Sequence, residues 1–159
     1  MIILRLFSLI ALMYLMDIDC VCAQSAFDKM TNDKMSKILL REAEDVQGDP
    51  GRWQFTYREL QLFIITDENA NRMRIMTPII EEKDLKKGQY KLMLEANFDK
   101  ALDAKYGIYE DIVWSIFTHP LGELTVEQFK DAMNQVATLS TNFGDSYSST
   151  YWTFGGGEN

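Results

Sequence analysis

Apolar residues recur at helical steps in three stretches of the chain and alternate with polar ones in several others, which predicts an α+β domain. Phe27, Met30, Lys34, Ile38, Leu39 and Val46 lie near helical spacing with Ala43 between them, and charged residues fill the other side. They predict an amphipathic helix over 27–47, closed by the breaker cluster Gly48-Asp49-Pro50-Gly51. Trp53, Phe55 and Tyr57 alternate with Gln54 and Thr56, so a strand over 53–57 carries three rings on one face. A denser apolar run follows over 60–66, and Met73, Ile75, Thr77 and Ile79 return at period two within 72–80. Together these predict three consecutive antiparallel strands.

The link Asp67-Glu68-Asn69-Ala70-Asn71 has the spacing that opens a calcium loop, but Arg72 and Pro78 stand where such a loop needs glycine and glutamate. A hairpin connection is the better reading, because Asn and Asp tolerate left-handed backbone and bond locally. A second helix is predicted over 86–105, with Tyr90, Met93, Leu94, Asn97, Phe98, Ala101 and Leu102 on one stripe. Tyr106, Gly107 and Tyr109 begin a short strand. The run over 112–118 is apolar on both sides apart from Ser115, which predicts a strand that is central or covered on both faces. Thr125 and Gln128 have capping-box spacing ahead of a third helix carrying Val126, Phe129, Met133, Val136 and Leu139, with Gly144 as its stop. The expected order is α-β-β-β-α-β-β-α, a single antiparallel sheet with three helices.

Two segments flank this domain. Arg5 is the lone charge before an apolar run over 6–16, followed by Asp17, Asp19 and the small-residue exit Val21-Cys22-Ala23, the layout of a cleavable export signal over 1–23. The run is far short of the ~20 residues that span a bilayer, so an exported, periplasmic or secreted protein with no integral membrane segment after cleavage is expected, an uncleaved anchor being the alternative. Cleavage removes Cys20 and Cys22, and with them disulfides, thiol catalysis and thiolate metal sites. The domain then covers 24–144, and the tail 145–159, rich in Ser, Tyr and Gly, is expected to be flexible and to fray.

Composition narrows the function classes. The 159 residues include 16 basic and 24 acidic ones, a net charge of -8, which argues against nucleic acid as a ligand. His119 is the only histidine, so a site of several imidazoles cannot be built, and no Gly-x-Ser-x-Gly elbow accompanies Ser115. Glu81, Glu82 and Asp84 cluster at a strand exit, but paired catalytic carboxylates usually come from distant segments lining a groove. Gly155-Gly156-Gly157 has no helix behind it to cradle a phosphate. No catalytic residue, cofactor or metal ligand is therefore assigned. Met30, Met35, Met73, Met76, Met93 and Met133 read either as core filling or as a pliable surface for partners. Trp53, Phe55 and Tyr57 read either as core or as the lining of a peptide groove, and as a sheet edge they would accept a partner strand.

The element order resembles the type III secretion chaperone-like fold, as do Arg72-Met73-Arg74-Ile75 on a strand, Leu94-Glu95-Ala96-Asn97 on the middle helix and Leu121-Gly122-Glu123-Leu124-Thr125 before the last helix. Within it the chain looks most like YbjN-type bacterial proteins, over roughly residues 25–143. The resemblance implies a small acidic homodimer, with the second helix in the dimer contact, no cofactor and no turnover, that holds an extended segment of another protein. The export signal departs from the cytoplasmic members of that fold. The expected function is thus an exported, non-enzymatic protein-binding module, with Trp53, Phe55, Tyr57, Met73, Met76 and Met93 as candidate partner-binding residues. The alternatives are a carboxylate-dependent hydrolase using Glu81, Glu82, Asp84 or His119, and a structural envelope protein assembling through its aromatic tail.

Overall fold

A computed structural model describes residues 29–150. The export signal expected over 1–23 and the tail beyond residue 150 lie outside the described residues.

The first helix, α1 (Asn32–Glu42), starts where the Thr31 side chain accepts from the Lys34 N–H at 3.3 Å, and it buries Met35, Ile38 and Leu39. It stops earlier than the expected 27–47. Ala43 is extended, and Glu44–Asp49 forms strand β1, paired antiparallel with β2 (Arg52–Tyr57) through an irregular register between Glu44 and Gln47. Its residues are exposed except for a half-buried Val46, so no apolar alternation marks it as a strand. Only its ladder to β2 makes it one. Gly48 has a φ of 101°, and a Cβ there would meet the Arg52 carbonyl oxygen at 2.2 Å, so this hairpin requires glycine.

Strands β3 (Leu60–Asp67) and β4 (Arg72–Glu81) follow through tight hairpins, including the Asp67–Asn71 link, where the Asp67 carboxylate accepts from the Ala70 N–H at 2.9 Å. Pro78 is tolerated inside β4 because the register to the next strand shifts between Pro78 and Ile80. After a 3-10 turn, α2 (Gln89–Asp99) leads to β5 (Lys105–Tyr109), β6 (Ile112–His119) and α3 (Val126–Thr141). The α3 start is the expected capping box, with Thr125 and Gln128 bonding reciprocally.

All six strands form one antiparallel sheet in the order β1-β2-β3-β4-β6-β5. The α+β class and the three helices are as expected, with one strand more. Because β1 lies outside β2, the Trp53–Tyr57 strand is not a sheet edge; β1 and β5 are. Among the described residues the three helices share one face of the sheet. Phe55, Leu62, Ile64, Met73, Ile75 and Val113 point into it and meet Leu39, Phe129, Met133 and Leu139 in one cluster. Full burial of each such side chain contributes about 1.5–3 kcal/mol.

The second helix is also shorter than the expected 86–105. Gly88, at φ 91°, precedes it, and the Lys105 ammonium closes its far end by donating to the Asn97, Ala101 and Leu102 carbonyls at 2.7, 3.1 and 2.6 Å. Beyond Gly144, where a flexible tail is expected, the residues up to Thr150 pack back onto the domain. Tyr147 is buried and packs on Tyr106 and Phe143, with centroids 5.9 and 5.5 Å away, and Ser149 Oγ accepts from the Leu102 N–H at 2.8 Å.

Candidate protein-binding surface

Period two along the strands sorts the sheet into two sets of side chains. The set facing the helices is core. The other set includes Gln54 of β2, Phe63 and Ile65 of β3, Met76 of β4, and Trp114 and Ile116 of β6, none of them buried. The ladder aligns them into rows. Phe63 faces Met76, which faces Ile116, and Gln54 continues the row on the β2 side. Phe63 also meets Trp114 edge-on at 6.3 Å. The result is an apolar band across β3, β4 and β6 that no helix among the described residues covers. Beside Ile65, 40 % exposed, lie two shallow depressions of ≈ 370 and ≈ 360 Å³, one including Gln54, Phe63 and Met76, the other Arg72, Arg74 and Thr118.

The structure separates the expected partner-binding residues. Trp53, Phe55, Met73 and Met93 belong to the core, at 5, 1, 1 and 4 % exposure, because they take the helix-facing phase of their strands or the inner side of α2. Tyr57 is half-buried, with the Arg58 guanidinium 5.6 Å from its ring centre. Of the six, Met76 alone sits on the open face. Phe63, Ile65, Trp114 and Ile116 were missed, although the runs over 60–66 and 112–118 show apolar residues in both phases. The strand over 112–118 lies inside the sheet, between β4 and the edge strand β5, and one of its faces is open among the described residues.

A second apolar surface lies on α2 and β5. Leu94 and Phe98 are 70 and 92 % exposed, and Tyr90, Leu92, Ile108 and Tyr109 are also solvent-facing. The two sheet edges, by contrast, are blunted. Edge strand β1 carries a register irregularity and several carboxylates. On β5, the Asn97 side chain bonds both polar groups of the Tyr106 backbone, at 3.0 and 2.7 Å, where an added strand would pair.

The hydrolase candidates do not converge. Glu81 pairs with Lys83, and Glu82 accepts from the Tyr90 hydroxyl, a bond that raises the Tyr90 phenol above its ordinary value. His119 stacks on Phe117, with Nδ1 2.8 Å from the Pro120 carbonyl oxygen. In the β4–β6 ladder Glu81 faces Ile112 while His119 faces Met73, so the acidic cluster and the imidazole lie at opposite ends, about 23 Å apart along the strand. Ser115 points into the core and is fully buried. No group of three or more His, Cys, Asp or Glu side chains among the described residues could hold a metal ion. No helix among them is long and apolar enough to cross a membrane.

No protein-family model and no curated protein matches the chain. Among solved structures, a chain of the HopA1–SchA chaperone–effector complex matches with a TM-score of 0.53 at 14% identity, covering 67% of this chain and 87% of that one. The fold is secretion-chaperone-like. On this secretion-chaperone-like frame, the open sheet face and the outer side of α2 with β5 are the two places where, among the described residues, apolar side chains gather with no helix or strand packed over them.

Proposed function

We propose that the chain is a non-enzymatic protein-binding module that holds an extended, apolar segment of a partner protein on the open face of its sheet. The observation that carries this reading is the aligned band of Phe63, Met76, Trp114 and Ile116, left uncovered by any of the described residues while the other face of the same strands is packed. Contiguous exposed apolar surface rimmed by polar residues is the mark of a partner site. The blunted edges favour docking on the face over strand addition. The likeness to a chain from a chaperone–effector complex supports a protein as the ligand.

In the same proposal the chain is a homodimer, joined through Leu94 and Phe98 of α2 with Ile108 and Tyr109 of β5, and is exported by residues 1–23. Kinship with YbjN-type proteins rests on the sequence motifs quoted above. The experiment is affinity capture from the native envelope fraction, comparing the unaltered chain with a Phe63→Asp, Ile116→Asp variant. One dominant partner, lost in a variant that melts within a few degrees of the parent, supports the reading. Equal capture by both removes it. Light scattering on Leu94→Asp, Phe98→Asp tests the dimer, and the first residue of the protein recovered from the envelope, expected to be Gln24, tests export.

A further inference from the structure

On the open face the apolar band ends at a row of different chemistry. Arg52 of β2 faces Ile65 of β3, which faces Arg74 of β4, which faces Thr118 of β6. Both arginines are exposed, and among the described residues neither makes an ion pair. Asp67, at the rim, directs one carboxylate oxygen to the Ala70 N–H at 2.9 Å, and Asp49, opposite Arg52 in the ladder, forms no ion pair with it. In a chain of net charge -8, two guanidiniums in one row of the open sheet face, unpaired among the described residues, are a local reversal of sign.

We propose that the segment held on this face is acidic as well as apolar, with carboxylates that engage Arg52 and Arg74 on either side of an apolar side chain seated by Ile65. This rests on the protein-binding reading above and adds the chemistry of the partner. The geometry fits an extended chain. Arg52 and Arg74 stand two strand spacings apart, about 10 Å, and residues four apart in an extended segment share a face and span about 13 Å, a difference that arginine side chains absorb. The residue midway between them then faces Ile65. Guanidinium and carboxylate pair in a planar, two-bond geometry that ammonium does not reproduce. The net negative charge of the chain repels an acidic segment at long range, so the preference resides in the bound contact rather than in the rate of encounter.

The test uses the full chain and three labelled peptides that alternate Leu with Glu, Gln or Lys on one face and carry Thr on the other, with binding read by fluorescence anisotropy. The Glu peptide is expected to bind about tenfold more tightly than the Gln peptide. An Arg52→Glu, Arg74→Glu variant should reverse the order in favour of the Lys peptide, whereas Arg41→Glu, a reversal on α1, should not. Equal binding of the Glu and Gln peptides, both lost in Phe63→Asp, overturns the acidic preference and leaves the protein-binding reading standing. Binding that ignores Phe63→Asp, or no binding of any peptide, overturns both. If Phe63→Asp instead dissociates a dimer of the chain, or if the two arginines retain anionic phospholipid vesicles but not the Glu peptide, the occupant is a second copy or a membrane and the proposal fails.

Discussion

The two faces of the sheet are built from the same strands one residue out of phase, and they differ in what covers them. Phe55, Leu62, Ile64, Met73 and Ile75 lie beneath helices at 1 % exposure or less, while Phe63, Ile65 and Met76, their immediate neighbours in sequence, are half-buried or exposed. Both sets are apolar. Apolar character alone therefore does not separate a residue that holds the fold from one free to hold something else; the helices do. The same contrast divides the helices. Buried residues run through most of α3, whereas α2 buries Met93 and Ala96 and leaves Leu94 and Phe98 facing solvent.

The sharpest way to break this comparison is to truncate one ring from each face. Phe55→Ala should cost about 3–5 kcal/mol in urea unfolding, by lost burial and the cavity left behind, and Phe63→Ala less than about 1 kcal/mol. Comparable losses would mean that the second face is structurally covered. Next in size is Tyr106→Phe. The Tyr106 hydroxyl donates to the Leu139 carbonyl at 2.9 Å beneath α3, and its loss should cost about 1–2 kcal/mol. Burial, with a smaller contribution from Tyr147, raises this phenol far above its ordinary value. With the folded pKa raised above the unfolded one, the associated stability is complete below about pH 10 and falls as pH rises beyond it. A urea series at alkaline pH should show that fall, diminished in Tyr106→Phe.

Ser115→Ala sharpens the comparison in the opposite direction. The Ser115 hydroxyl is fully buried on the covered face and has no hydrogen-bond partner among the described residues, so its removal should be neutral or stabilising by up to about 1 kcal/mol. A loss greater than that would reveal a bond to this hydroxyl. The smallest effect is expected at the corner where Asn71 accepts from the Gly122 N–H at 2.7 Å and donates to the Glu123 carboxylate at 2.8 Å. That hydrogen bond is the main cause of a lowered Glu123 pKa; burial is next in size and opposes it, and its own backbone, Lys29 and His119 add lesser lowering contributions. A lowered folded pKa gives stability that is present above the ordinary glutamate range and is lost as pH falls through the folded value. Asn71→Ala should flatten this acid limb slightly in thermal melts between neutral and acid pH.

Much of the architecture was legible in residue order. The hairpin at Asp67–Asn71, the capping box at Thr125 and Gln128, and the period-two alternation of Met73 and Ile75 all follow from local chemistry that acts within a few residues. Strand β1 was not legible, since Val46 alone among its residues is even half-buried and lies near the helical spacing of the stretch before it, and what makes β1 a strand is its backbone ladder to β2 across the turn at Gly48–Gly51. The same limit applied to the site. Trp53 and Phe55 are the most conspicuous rings in their stretch, yet period two shows only that they share a face, not which face the helices will occupy.

Local propensity and spacing were enough for the α+β class of the fold and for the hairpin at Asp67–Asn71 and the cap at Thr125, because they act within a few residues. Tertiary structure alone decided which apolar phase of the sheet is core and which is open, that β1 and β5 are the edges, and that Arg52, Ile65 and Arg74 stand in one row. Those outcomes depend on strand register and on which face three helices pack against, and both are set by contacts between segments far apart along the chain.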